Sequence, residues 1–151
     1  AALSAEVTHA HPEGIAGAAA VAAAASLAAN GWNEEPEALL EKTLLHLPEG
    51  EVSSRIAAAV EIGKDQLVAA IKRLGTGYRV TAQDTVPFCL WVSAHFGNDF
   101  EDALRVTMQG MGDSDTTCAI VGGIVSLRVG KVTEGLLKSR EPLPDLDLRA
   151  R

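Results

Sequence analysis

A chain of 151 residues, 47% of them hydrophobic, has the size of one domain and enough apolar material for a buried core. Thirteen basic residues against twenty acidic ones leave a net charge of -7, the wrong sign for following a nucleic-acid backbone or an anionic membrane. Aromatics make up only 4%, and the alanine, leucine and valine that dominate the rest favour helices over strands, so an all-α fold is expected.

In chain order, Pro12 suits the first turn of a helix, and the alanine-rich run behind it stops at Asn30-Gly31, which predicts a helix over Pro12 to Ala29. Gly14, Gly17 and the alanines give that helix a thin cross-section, suited to a central position with close neighbours on several sides. Pro36 opens a second helix to about His46, with Leu39, Leu40, Leu44 and Leu47 forming one stripe, and Leu47-Pro48-Glu49-Gly50 breaks it. Val52 to Ile62 and Lys64 to Leu74 read as two more helices, followed by the connector Gly75-Thr76-Gly77-Tyr78.

Asp84 is expected to cap a helix ending at Phe96-Gly97, with Pro87 accepted as a first-turn proline, and Asp99 to cap the next one. A long apolar helix runs from about Asp115 to Val129, and a short one from Thr133 to Ser139 precedes the breaker-rich Glu141-Pro142-Leu143-Pro144. No repeat of solenoid period is visible.

Cys89 and Cys118 sit in apolar helical runs without metal-like spacing, which reads as reduced core thiols in a cytoplasmic protein. The longest apolar run, Ile15 to Ala29, is interrupted by glycine and serine and falls short of the ~20 residues of a membrane span, so none is expected. No basic segment precedes it, so no secretory signal is read there. Because the first residue is Ala1 and the only methionines are Met108 and Met111, an N-terminal part is expected to precede the chain.

Three clusters could carry chemistry. Gly110-Met111-Gly112-Asp113-Ser114-Asp115-Thr116-Thr117 presents two carboxylates and hydroxyls at a helix start, hard oxygen donors of the kind Mg²⁺ takes; a helix cap on Asp113 or Asp115 is the alternative. Thr8-His9-Ala10-His11-Pro12-Glu13 has the residue types of a transition-metal site but not the spacing; instead, His9 is expected to bond a ligand or nearby backbone while His11 caps or packs. Tyr78 to Asp84 offers an aromatic that either packs or stacks on a flat ligand, with Gln83 or Asp84 as hydrogen-bonding partners.

These same residues resemble the ADP-ribosylglycohydrolase family, which includes the J1-type crystallins. The likeness lies in Thr8-His9-Ala10-His11-Pro12-Glu13-Gly14 leading into an alanine-rich helix, Thr85-Val86-Pro87-Phe88 opening another, and Gly112-Asp113-Ser114-Asp115-Thr116 before Ala119-Ile120-Val121-Gly122-Gly123. The resemblance spans nearly the whole chain and implies an orthogonally packed all-α fold, present as the C-terminal half of a single domain. It further implies a dinuclear Mg²⁺ site that hydrolyses the glycosidic bond between ADP-ribose and its acceptor. By that analogy Asp113, Asp115 and Thr116 match metal ligands, and His9, Tyr78, Val80, Gly112 and Ser114 border the substrate. The remaining ligands and the acid or base belong to the missing N-terminal half, so the fragment is expected to be inactive alone. Its partners would be ADP-ribose or an ADP-ribosylated substrate and that missing half. A crystallin-like structural relative without turnover is the alternative.

Overall fold

In the computed structural model, which describes residues 1–142, the helix Ala82–Phe96 (α6) is buried along nearly its whole length, from Asp84 to His95. Around it pack α2 (Pro12–Ala29), α3 (Pro36–Leu44), α4 (Glu51–Val60), α5 (Leu67–Leu74), α7 (Phe100–Met108) and α8 (Ser114–Val129). Two short helices, α1 (Ala2–Glu6) and α9 (Glu134–Ser139), complete the set, and no strand occurs among the described residues. The fold is therefore all-α, as composition predicts. Leu143 and Pro144 of the expected tail lie outside the described residues.

The place at the centre goes to α6 rather than to the alanine-rich α2. Phe88 and Trp91 are fully buried on α6, and the Trp91 indole N–H donates to the Ile62 carbonyl at 2.8 Å, so the largest apolar surfaces lie there with their one polar handle satisfied. The thin cross-section of α2 still matters: a Cβ on Gly17 would fall 2.8 Å from that of Ala82, so the two helices approach at a distance only glycine permits. By length and composition alone α2 could cross a membrane, but here it packs against α1, α3, α4, α6 and α8.

Helix ends follow local chemistry. Asp99 accepts the amide of Asp102, and Asn30-Gly31 closes α2 with Gly31 at φ +76°, as the sequence predicts. The helix expected over Lys64 to Leu74 starts only at Leu67, because Gly63 to Gln66 forms a turn: the Gln66 amide donates to the Gly63 carbonyl and its side chain accepts the Gly63 amide. The second and third helices end at Leu44 and Val60 rather than at His46 and Ile62. Thr81, not Asp84, is the N-cap of α6, which puts Pro87 inside the helix rather than in its first turn. The proline cannot donate to the Gln83 carbonyl four residues back, and the Arg55 guanidinium on α4 does so instead at 3.1 Å. Cys89 is buried, which pushes its thiol up, whereas Cys118 is only half-buried; both are free.

Candidate functional site

The N-termini of α2 and α8 and the segment leading into α6 surround one cleft of about 940 Å³. His9, Gly17, Val21, Val80, Asp113 and Thr116 are among its lining residues, so all three clusters of the sequence contribute to this one cleft. Gln83, Thr85 and Ile120 also line it. Of these, only Gln83 is expected from sequence to contact a ligand; Thr85 and Ile120 enter only within the family-like motifs. Ile120 carries no local signal, since a residue on an apolar helix faces a cleft only through how that helix packs.

At the acidic end, Asp113 is the N-cap of α8: its carboxylate accepts the Thr116 amide at 3.4 Å, and its carbonyl accepts the Thr117 hydroxyl at 2.8 Å and the Thr117 amide at 2.9 Å. The cap alternative is thus realised for Asp113. The cap bond engages Oδ1 alone, so capping and metal ligation are compatible there. Hydrogen bonding with the Asp115 side chain, and next with Thr116, holds the Asp113 carboxyl below its usual range. Asp115 and Thr116 are exposed. Among the described residues no three His, Cys, Asp or Glu side chains converge as a ligand set, so these oxygens fit one side of a hard-cation site and do not close it.

The histidine cluster divides its work. His11 is the N-cap of α2, its Nδ1 accepting the Glu13 amide at 3.2 Å. Glu13 is not a metal ligand in this arrangement: its carboxylate accepts the amides of Glu51 and Val52 at 2.9 and 2.8 Å, closing the N-terminus of α4, and Gly50 leaves it the necessary space. His9 lies on the cleft, with Nδ1 2.8 Å from the Thr8 hydroxyl.

Two glycine-rich loops meet beside Asp113. Its amide donates to the Thr76 carbonyl at 3.2 Å, a Cβ on Gly77 would lie 2.9 Å from the Asp113 Cβ, and Gly112 passes so close to Thr76 that a side chain would collide. Tyr78 and Val80 stand on this strap, both about four-fifths exposed. Val80 lines the cleft at φ +54°, a conformation β-branched residues adopt only under constraint, whereas Tyr78, Gly112, Ser114 and Asp115 lie beside the cleft without lining it.

A sequence model of the family described as ADP-ribosylglycohydrolase matches residues 1–144. A protein of Archaeoglobus fulgidus, described only as uncharacterized, is 32% identical over 149 residues, which cover 95% of this chain and 47% of the relative. The chain thus spans about half the length of that relative. No solved structure matches.

Proposed function

The chain belongs to the ADP-ribosylglycohydrolase family, and we propose that it is the C-terminal half of a magnesium-dependent hydrolase cleaving the glycosidic bond between ADP-ribose and its acceptor. The observation that carries this reading is the meeting of His9 and the Asp113–Thr116 loop, from opposite ends of the sequence, on one cleft. Oxygen-only donors at a helix start, with Asp115 and Thr116 exposed beside the half-buried Asp113, support Mg²⁺ rather than a softer metal. Asp113, Asp115 and Thr116 would hold the ion from one side; when bound, it supplies a Lewis acid for ribose hydroxyls and a water of lowered pKa.

The chain's own residues bind and orient. Where the Thr8 hydroxyl donates to His9 Nδ1, the ring keeps its proton on Nε2 and can donate it to a ribose or phosphate oxygen. Apolar walls from α2 and α6 exclude water from one flank. Val80 and the strap close the rim.

Two observations support the reading as one half of a larger unit. The relative is about twice as long. In addition, α2 from Gly14 onward and α8 from Thr116 to Leu127 carry no charge, yet Ala22, Ser26, Ala119, Gly123 and Leu127 face solvent. Helices uncharged all round belong inside a protein, whereas α7, with Glu101 and Arg105 outward, has the pattern of a true surface helix. The test is release of ADP-ribose from an ADP-ribosylated substrate, with and without chelator. The isolated 151-residue chain is expected to show none and the complete protein to show chelator-sensitive release. Chelator-sensitive turnover by the isolated chain would contradict the half-site.

A further inference from the structure

We propose that Asp84, braced by Arg55, is the positioning residue that holds the 75–80 strap against Asp113 and sets the rim of the cleft. The functional half of this inference rests on the reading of Asp113 as a site residue. Asp84 is only 7% exposed, and a buried carboxylate is tolerated where its oxygens are used. Its Oδ2 accepts the Arg79 amide at 2.8 Å and its backbone carbonyl accepts the Gly77 amide at 2.7 Å, both donors on the strap. Gly75, at φ +86°, lies so close to Asp84 that any side chain there would collide. Behind it, Arg55 reaches within 4.0 Å of Oδ1 while donating to the Gln83 carbonyl.

On its other side the strap meets Asp113 through the Thr76 carbonyl and the bare Cα of Gly77. It is therefore clamped between two aspartates, the buried Asp84 and the cleft residue Asp113. The bond to Arg79 also fixes the residue immediately before Val80, whose positive φ needs such over-determination. A carboxylate merely favouring the N-terminus of α6 would spend its oxygens on that helix's own amides; Asp84 gives Oδ2 to the strap.

Amide hydrogen exchange of the 151-residue chain tests the clamp. In Asp84→Ala, exchange at Arg79, Val80 and Asp113 should quicken by about tenfold or more while Ile56 and Ala103 stay within about twofold; Asp84→Asn, which keeps an acceptor oxygen, should restore Arg79 protection. Uniform quickening including Ile56 and Ala103, or none at Arg79 and Asp113, overturns the proposal. In the complete protein Asp84→Ala should raise KM with kcat little changed, because the strap borders the substrate. A fall in kcat at constant KM would overturn the rim role. A wild-type protein without turnover would sink the hydrolase reading and leave the exchange pattern to decide on Asp84.

Discussion

At the scale of single residues, the core contains one titratable group whose burial has a measurable consequence. His95 is buried on α6, its ring 5.1 Å from that of Trp91, with Nε2 lacking a hydrogen-bond partner among the described residues. Burial pulls its pKa below the ordinary 6.5, partly offset by Glu37 and the Ile62 backbone and reinforced by Lys64. The unfolded chain therefore binds the proton more readily than the folded one. The stability this provides is complete above about pH 6.5 and is lost as the pH falls toward the folded-state value. Urea unfolding at pH 7.5 and 5.5 should show a larger drop for wild type than for His95→Gln, and equal drops would assign the acid sensitivity elsewhere. Residue-level roles were legible where they are local: Asp99, Asn30-Gly31 and the capping histidine follow from neighbours in sequence. The use of Glu13 as the cap of α4 was not, because its partners Glu51 and Val52 lie nearly forty residues away and nothing local marks the pairing.

Between elements, the clearest dependence is that of α6 on α4. Pro87 frees the Gln83 carbonyl, and Arg55 supplies the missing donor. Arg55→Met should therefore destabilise the chain by about 1–2 kcal/mol, the cost of a lost charge-assisted bond at a partly buried site. In a Pro87→Ala background, where a helical amide can bond to Gln83 again, the same change should cost less; chemical denaturation of the double-mutant cycle reads the difference. Full additivity would mean that Arg55 acts through Glu51, with which it pairs at 2.6 Å, and Asp84 rather than through the Gln83 carbonyl. Capping signals and apolar periodicity placed seven of the nine helices of the described residues to within about three residues wherever an end was expected, and the eighth, α9, to within one. The short α1 was missed because five residues with no side-chain cap carry neither a stripe nor a stop signal.

Across the whole molecule, the cleft joins residues 5–25, 80–86 and 113–120, and only packing of α2 and α8 against α6 brings these together. The sequence held the site's donor chemistry in three clusters, and their convergence came from the fold. The thin, alanine-rich α2 pointed to close neighbours on several sides, and it packs against α1, α3, α4, α6 and α8 while Ala22 and Ser26 stay exposed. The central claim is that Asp113 and Asp115 act as ligands beyond the cap that Asp113 provides. Asn caps a helix about as well as Asp but lacks the charge that Mg²⁺ needs. The decisive measurement is Mg²⁺ titration calorimetry on the complete protein carrying Asp113→Asn or Asp115→Asn, with circular dichroism and ADP-ribose release followed in parallel. The account predicts an unchanged helical spectrum with metal affinity and release falling together. Variants that bind Mg²⁺ and turn over like wild type would leave Asp113 as a helix cap and contradict the site.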